Sequence, residues 1–256
     1  MIRVQNLHKA FGRQPVLRGL SLDVATGEIM VVIGRSGGGK SVLLRHLIGL
    51  LRPDSGAIMV DGTDITGLRG SALDGIRERY GVVFQGGALF DSMSVFDNVA
   101  FPLQEKSRLG AAEINQRVEE KLEQVGLTGM EHKNPAEISG GMRKRVAIAR
   151  ALVTEPQVAF FDEPTTGLDP ILVNTIHHLI VELHRKFRFT AVMVSHEIPE
   201  IFRIADRVAM LHEGVIVESG TPDAIQASTN PIVQQFIHGD IEGGPDSAER
   251  PGPAAR

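Results

Sequence analysis

Four short runs of apolar residues constrain the fold of this chain more than any other feature. They are rich in Val, Ile and Phe without polar alternation, and they lie at Ile29–Ile33, Tyr80–Phe84, Val158–Phe161 and Ala191–Val194. Strands that are covered on both faces of a sheet have this composition. Apolar residues at helical spacing lie between these runs, at positions 43–51, 114–125 and 172–183. Strands that alternate with helices predict an α/β fold with a parallel sheet.

Three segments predict additions to this sheet. Residues 1–28 contain short alternating runs and turn residues, which favour a small N-terminal antiparallel β subdomain. Residues from about 86 to 157 have no comparable strand signal, so we expect a helical insertion there, within one domain over residues 1–238. Residues 239–256 are rich in Gly and Pro and cannot bury enough apolar surface to offset the entropy of ordering. We predict that this tail is disordered.

Composition excludes several classes of protein. The chain has no cysteine, which excludes disulfides, thiol catalysis and zinc–thiolate sites. Its net charge of −4 argues against a nucleic-acid partner, which requires a basic excess. The longest apolar run is far shorter than the ~18 residues that a membrane-spanning helix needs, and residues 1–10 do not resemble a signal peptide. We therefore expect a soluble protein of the cytosol.

A glycine-rich segment between the first run and a helical stripe matches the phosphate-loop pattern G-x-x-x-x-G-K-[ST]. Its residues are Gly34, Arg35, Ser36, Gly37, Gly38, Gly39, Lys40 and Ser41. The glycines allow backbone N–H groups to point at phosphate oxygens, and the following helix presents its positive end to the same anion. Lys40 would place a charge at the β- and γ-phosphates, and the Ser41 hydroxyl can ligate Mg²⁺. The structural alternative is a glycine-rich turn.

Two carboxylates follow the third apolar run. Asp162 would hold magnesium through water, and Glu163 is placed to polarise an attacking water. An ordinary strand followed by an acidic turn is the alternative. Gly34, Gln85, Asp162 and His196 each stand at or just past the end of an apolar run. Because ligands of open α/β sheets bind at the carboxyl edge of the strands, we expect these residues to converge on one ligand.

A second candidate anion site lies at Ser139, Gly140, Gly141 and Met142, where another apolar-striped helix begins. Ser139 is a good N-cap, which is its purely structural interpretation. However, the two glycines also leave N–H groups uncovered at a helix N-terminus. One nucleotide does not readily need two such sites from the same chain. A second subunit, related by a two-fold axis, would supply the other site.

These motifs, in this order, resemble those of ATP-binding cassette (ABC) ATPases over roughly residues 1–238. The resemblance implies a P-loop NTPase core, ATP hydrolysis, and ATP with Mg²⁺ as ligands. Phe11 resembles the aromatic that stacks on adenine, although Tyr is commoner there. Gln85 resembles the glutamine that senses the γ-phosphate and contacts magnesium. Glu163 resembles the catalytic carboxylate, and His196 resembles the switch histidine that contacts the γ-phosphate.

Two further motifs resemble parts of the family that act between subunits. Residues 138–142 resemble the signature motif that covers the partner subunit's ATP, with Ile and Met where Leu and Gln are usual. Met142 lacks the side-chain amide that Gln would supply at this position. Asp169 resembles a loop residue that crosses between subunits. The resemblance therefore implies a homodimer.

A finer resemblance, over residues 84–99, 139–145 and 161–170, is to the Mla-type phospholipid-transport ATPases of Gram-negative bacteria. It implies a peripheral subunit on the cytoplasmic face of the inner membrane. The implied partners are an integral membrane permease, an MCE-domain protein and a small STAS-domain protein. Two alternatives remain open, namely the ATPase of an importer for a polar solute such as an amino acid, and a soluble ABC ATPase of DNA repair or translation.

Three surface features also yield expectations. The residues after Gln85 are apolar for a loop: Ala88, Leu89, Phe90, Met93, Val95 and Phe96. They either pack the helical insertion onto the core or form a groove for a short permease helix. The charge run 143–145 is expected to be a solvated helix face. His177 and His178 are adjacent on a predicted helix, so we expect solvent exposure rather than metal binding.

Overall fold

The computed structural model describes residues 2–107 and 109–239, and these form an α/β fold. The strands of this part of the chain are β1 (Ile2–Phe11), β2 (Gln14–Val24), β3 (Ile29–Ile33), β4 (Ser55–Val60), β5 (Thr63–Asp64), β6 (Tyr80–Val83), β7 (Val158–Asp162), β8 (Thr190–Ser195), β9 (Arg207–His212) and β10 (Val215–Gly220). Its α-helices are α1 (Lys40–Leu47), α2 (Ser71–Arg77), α3 (Val95–Lys106), α4 (Ala111–Gln124), α5 (Gly140–Leu152), α6 (Pro170–Phe187), α7 (Pro222–Gln226) and α8 (Pro231–His238). Two short 3₁₀ helices lie at Pro135–Glu137 and Glu200–Arg203.

The four predicted runs form four consecutive strands of a six-stranded sheet with the order β10-β9-β3-β8-β7-β6, in which β6 is at one edge. All neighbours from β9 to β6 pair in parallel, and only β10 is antiparallel. The predicted bounds are therefore confirmed to within one residue. Phe84 lies just beyond β6, whereas Asp162 is the last residue of β7. The strands β9 and β10 were not predicted.

A second, four-stranded sheet with the order β2-β1-β4-β5 is antiparallel throughout. It confirms the N-terminal antiparallel subdomain, although β4 and β5 come from residues beyond the predicted segment. This sheet covers one face of the parallel sheet. Leu7 and Leu20 belong to the same apolar cluster as Leu43 of α1 and Phe160 of β7.

Alternate residues of β3 are buried in two different cores. Ile29, Val31 and Ile33 lie in the cluster formed with the helices α3 to α6, whereas Met30 and Val32 lie in the cluster of the N-terminal sheet. All five residues are at most 3% exposed. Burial on both faces explains why β3 shows no polar alternation.

Helical structure without strands occupies the described part of residues 86–157, as expected for a helical insertion. Ser139 is confirmed as the N-cap of α5. Asp169 is the N-cap of α6, with Pro170 at its first position. Gly239 ends α8, and the rest of the tail for which we predict disorder lies outside the described residues. None of the described helices combines the length and apolar character that crossing a membrane requires.

The expectation for His177 is wrong. His178 is exposed, but the side chain of His177 is buried in α6, and neither ring nitrogen has a hydrogen-bond partner. Burial lowers the pKa of His177 to about 4. The neutral imidazole is therefore the form that the fold accepts.

The depressed pKa of His177 predicts a loss of stability in acid. Between about pH 6.5 and pH 4, His177 is protonated in the unfolded chain but neutral in the folded chain. This group alone should remove about 2 kcal/mol of the free energy of unfolding between pH 7 and pH 5. Urea denaturation at both pH values measures this effect. Between pH 7 and pH 5, the free energy of unfolding of His177→Leu should fall by about 2 kcal/mol less than that of the wild type. His178→Leu is the control and should retain the wild-type difference; equal pH dependence in all three proteins would contradict the assignment.

Candidate nucleotide-binding site

The phosphate loop joins β3 to α1 at the carboxyl edge of the parallel sheet. A Cβ atom at Gly34 would lie 2.3 Å from the carbonyl oxygen of Leu211 in β9, so only glycine fits there. Gly39, the residue before α1, has a φ of 101° in the left-handed region. The loop can therefore turn directly into α1, whose first N–H groups face the edge of the sheet.

Lys40 lies at the centre of this loop, with a side chain that is only 4% exposed. Its Nζ donates hydrogen bonds to the carbonyl oxygens of Gly34 at 2.8 Å and Arg35 at 3.1 Å. The same atom lies 3.7 Å from Oε1 of Glu163. Burial lowers the pKa of Lys40, and the two neighbouring carboxylates, Glu163 and Asp162, oppose that shift. The loop thus holds a poorly hydrated cation beside the carboxylates that end β7.

Ser41 of the phosphate loop and Asp162 at the end of β7 are distant in sequence but adjacent in the structure. The Ser41 hydroxyl donates a hydrogen bond of 2.9 Å to Oδ1 of Asp162. Burial raises the pKa of the Asp162 carboxyl, while the hydrogen bond from Ser41 lowers it. A hydroxyl and a carboxylate oxygen therefore stand side by side where α1 begins.

Glu163 contacts three of the predicted site residues, namely Lys40, Gln85 and His196. Its Oε2 accepts hydrogen bonds of 3.1 Å from the Gln85 amide and from the Thr166 hydroxyl. Its Oε1 lies 3.3 Å from Nδ1 of His196, as well as near Lys40. The backbone of Glu163 has a φ of 46°, a conformation that costs an ordinary L-residue about 1–2 kcal/mol. The fold therefore holds this carboxylate in a strained conformation that directs it at three motifs.

A cavity of about 380 Å³ opens above these groups. It is lined by Val16, Ser36, Gly37, Gly39, Lys40, Ser41, Val42, Gln85 and Glu163. Of the four residues predicted to converge, Gln85 lines the cavity, while Gly34, Asp162 and His196 contact its lining residues Lys40, Ser41 and Glu163. Val16 was not predicted; it belongs to β2, and its side chain lies 3.3 Å from the position that a Cβ atom would take at Gly39.

Gly34, Arg35, Gly38, Asp162 and His196 are next to or in contact with lining residues but are not part of the cavity lining. Phe11, the segment 139–142 and Asp169 also lie outside it. Phe11 ends β1 in the hairpin with β2, where its ring is 48% exposed and lies 5.7 Å from Nζ of Lys9. The segment 139–142 begins α5, and Asp169 begins α6. These last two elements contact each other, because a Cβ atom at Gly141 would lie 3.3 Å from Leu172. One chain therefore does not bring its signature segment to its own phosphate loop.

One part of the apolar segment after Gln85 packs against the core, and another part is exposed, so each of the two expected interpretations applies to a part of it. Val95 is fully buried, and Leu89 and Phe96 are partly buried against the core. Phe90, in contrast, is 40% exposed, and Ala88 is also exposed. The core interpretation holds for one part of the segment, and the surface part is free to contact another protein.

Asn98 fixes the shape of this segment, and no sequence pattern separates it from other polar helix residues. Its side chain is fully buried at the start of α3. The amide oxygen accepts a hydrogen bond from Phe90 N, and the amide nitrogen donates to the carbonyl oxygens of Phe90, Met93 and Ser94. The exposed ring of Phe90 is therefore carried on a rigid turn.

The expectation of a solvated charge run at residues 143–145 holds for Arg143, which is exposed, and is wrong for Lys144, which is buried. Arg143 donates to the carbonyl oxygen of Ile138, Lys144 to that of Gln85, and Arg145 to that of Val125. Further along α5, Arg150 donates to the carbonyl oxygens of Gly87 and Ala88. The basic side chains of α5 thus organise the loops around it, which only the tertiary structure reveals.

Comparison with known proteins decides the family. The model of the ABC transporter family matches residues 17–166. The chain is 43% identical over 232 residues to the "Intermembrane phospholipid transport system ATP-binding protein MlaF" of Escherichia coli K12, covering 91% of this chain and 86% of that protein. It is 44% identical over 238 residues to the "Probable ribonucleotide transport ATP-binding protein mkl" of Mycobacterium leprae, covering 93% of this chain and 69% of that protein.

A solved structure agrees with these sequence matches. The dimeric, post-hydrolysis structure of the ATP-binding cassette MJ0796 bound to ADP and Pi has a TM-score of 0.79 at 30% identity, covering 87% of this chain and 99% of that one. The chain belongs to the ABC transporter ATP-binding family. The predicted resemblance and fold class are confirmed, and the protein is an ATPase of the ABC type.

The position of Lys40 in this ABC ATPase yields a prediction. Lys40→Ala should abolish detectable ATP binding, because the loop loses its buried side-chain cation, which lies among the backbone donors. Titration calorimetry with ATP measures this loss directly. Lys133→Ala, which removes a lysine that is half exposed and lies in the helical insertion, should bind ATP with wild-type affinity. Wild-type affinity in Lys40→Ala would show that the lysine does not contact the nucleotide.

Proposed function

We propose that this ABC ATPase powers a membrane transporter that moves phospholipid between the inner and outer membranes. ATP would bind in the cavity above Lys40, Ser41 and Gln85, and its hydrolysis would drive a permease. The observation that carries the nucleotide site is the convergence of these groups on Glu163 at one edge of the sheet. The observation that favours phospholipid is the likeness to MlaF over 86% of that protein's length.

The phosphate chain of ATP would lie in the loop formed by residues 34–41. Backbone N–H groups of the loop and of the first turn of α1 would face the phosphate oxygens, and Lys40 would add its charge at the β- and γ-phosphates. Phe11, at the end of the neighbouring hairpin, would stack on the adenine. Its exposed ring offers the flat apolar surface that such stacking needs.

The residues around Ser41 fit a magnesium ion. Mg²⁺ takes oxygen ligands and is usually held by one or two carboxylates together with substrate phosphates and waters. Ser41, Asp162 and Gln85 supply a hydroxyl, a carboxylate and an amide oxygen, and the first two are already 2.9 Å apart. The bound metal would neutralise charge on the transferring phosphoryl group.

Glu163 would act as the general base for the attacking water. In the structure its carboxylate is engaged by Gln85, Thr166, His196 and Lys40. A γ-phosphate in the cavity would offer Gln85, His196 and Lys40 a competing anion. The carboxylate would then be free to accept a proton from water, while His196 contacts the γ-phosphate.

Replacing the carboxylate should separate binding from hydrolysis. Glu163→Gln keeps the shape of the side chain but cannot accept the proton, so the rate of hydrolysis should fall by about 10²–10⁴-fold. ATP should still bind, and the variant should accumulate as an ATP-bound dimer, measured by light scattering beside a phosphate-release assay. Glu182→Gln, an exposed carboxylate on α6, is the matched control and should behave as the wild type. Normal hydrolysis in Glu163→Gln would assign catalysis to another residue.

A two-fold homodimer would complete each nucleotide site. Ser139 to Met142 and Asp169 lie outside the cavity of their own chain, although they offer a helix N-terminus and a loop of the kind that contacts nucleotide in this family. A head-to-tail arrangement would place the signature segment of one subunit over the phosphate loop of the other. ATP, bound between the two, would stabilise the closed dimer, and hydrolysis would reopen it.

The exposed part of the segment after Gln85 would receive a short helix of the permease. Phe90 and Ala88 supply the apolar surface, and the ring of Phe90 packs 4.9 Å from that of Phe101. Gln85 links this surface to the nucleotide through its contact with Glu163. The proposal extends to peripheral association with the cytoplasmic face of the inner membrane, beside a permease, an MCE-domain protein and a small STAS-domain protein. These are the partners that the resemblance in the sequence implies, and the likeness to an intermembrane phospholipid transport protein supports them.

A charge at Phe90 should break this association. Phe90→Asp would bury an unpaired carboxylate in the groove and should cost several kcal/mol of binding if it is fully desolvated, on the order of 3–5 kcal/mol. The variant should fold and bind ATP but lose copurification with the permease. Leu50→Asp, an equally exposed apolar position after α1, is the control and should assemble normally. Normal assembly of Phe90→Asp would remove this residue from the interface, and an insoluble variant would assign it to the core.

The transported substrate is tested on the same assembled complex. Reconstituted wild-type complex should transfer labelled phospholipid between vesicle populations in an ATP-dependent manner, and the Phe90→Asp preparation should not. The name of the mycobacterial relative gives a different substrate class, ribonucleotides. ATP-dependent uptake of a ribonucleotide or another polar solute, without phospholipid transfer, would replace the proposal with the importer alternative.

A further inference from the structure

Two basic side chains of helix α5 bind the loop that begins at Gln85. They are Lys144 and Arg150, which lie nearly two turns apart on the helix. Lys144 is 8% exposed, and its Nζ donates a short hydrogen bond to the main-chain carbonyl oxygen of Gln85. Burial lowers the pKa of Lys144, and attraction from Glu197 and Glu163 opposes this shift. Because the Lys144 side chain is buried, breaking this bond would leave its ammonium group without a partner or water, so the bond resists opening.

Arg150 extends the same attachment two turns further along. Its guanidinium donates to the carbonyl oxygens of Gly87 at 2.7 Å and Ala88 at 2.8 Å, and it lies 5.8 Å from the ring of Phe90. Between the two basic residues the loop rests on the helix, since a Cβ atom at Gly87 would lie 3.5 Å from that of Ala147. The main chain from Gln85 to Ala88 is therefore fastened to α5 over its whole length.

The two ends of this attachment face different nucleotides in the proposed dimer. The Gln85 side chain contacts Glu163 in the cavity of its own chain. The start of α5, at Ser139 to Met142, lies outside that cavity and would face the nucleotide of the partner subunit. Lys144 stands only five residues after Ser139, so it joins these two places by one side chain.

We infer that Lys144 is a positioning residue that couples the two nucleotide sites of the dimer, an inference that rests on the proposed two-fold arrangement. A γ-phosphate that draws the Gln85 amide away from Glu163 shifts the main chain of Gln85. The bond to the buried Lys144 side chain passes this shift to α5, and hence to the signature segment over the other nucleotide. Lys144 touches neither nucleotide and acts only through Gln85 and α5.

If Lys144 couples the two sites, replacing it should reduce the cooperativity of ATP hydrolysis. In Lys144→Met the apolar stem remains, but the donor to Gln85 is lost. The Hill coefficient for ATP hydrolysis should fall from a wild-type value of about 2 toward 1, since a dimer has two sites. The kcat should fall by about 2- to 30-fold, the range of residues that modulate coupling between sites. The affinity of the isolated chain for ATP should not change.

Three further variants separate coupling from general destabilisation. Lys144→Gln is shorter and polar, and should lose cooperativity as the Met variant does, even if the latter folds poorly. Lys144→Arg retains a donor and should restore most of the Hill coefficient. Arg145→Met removes the adjacent basic residue, which donates to Val125 O instead of to this loop, and should remain cooperative.

The failure of this inference can be told apart from the failure of the proposed function. If Glu163→Gln forms no ATP-bound dimer by light scattering, the dimer itself is wrong and Lys144 has no second site to couple. If that dimer forms, and Lys144→Met and Lys144→Gln retain the wild-type Hill coefficient and kcat, the inference is overturned. It is also overturned if neither variant folds, or if Arg145→Met loses cooperativity equally, because the role of Lys144 would then be structural.

Discussion

The carboxylate of Glu163 is the interaction on which the arrangement of this ATPase depends. It stands one residue past β7 and is contacted by groups from the phosphate loop, the Gln85 loop and the loop after β8. A negative charge at this depth needs donors, and the site supplies them from segments that are distant in sequence. The same donors suit a phosphate, so the groups that stabilise the carboxylate are those that would respond to ATP.

The parallel sheet makes this meeting possible. Because β3, β7 and β8 run in the same direction, their carboxyl ends lie at one edge and deliver Lys40, Glu163 and His196 to it. Burial of β3 on both faces requires two cores, one supplied by the N-terminal sheet and one by the helices. The site therefore lies at the carboxyl edge of strands that are buried on both faces, while Phe90, Ala88 and residues 139–142, which we propose contact other chains, lie in the helical insertion.

Helix α5 shows why a pattern of charges is a poor guide to exposure. Lys and Arg carry long apolar stems, so a basic residue can cross a buried layer and place its charge on a main-chain carbonyl. Lys144 does so at Gln85, and Arg150 at Gly87 and Ala88. His177 is a related case, since one position of a pair of histidines faces the core and its neighbour faces water. Hydrophobic periodicity assigns a residue to the core or the surface from its type alone. It therefore misses a polar residue that is buried in the folded protein.

Sequence alone determined the elements whose signals are local. The strand β3, the phosphate loop and the N-caps Ser139 and Asp169 follow from neighbouring residues, because backbone conformation and capping act over a few positions. The family follows from the order of its motifs. Only the tertiary structure decided that Asn98 shapes the Phe90 turn, that β9 and β10 extend the sheet, and that Lys144 reaches Gln85. Those contacts join residues by the path of the chain in space, and a hydrogen bond to a main-chain carbonyl leaves no signature in the identity of the residue that accepts it.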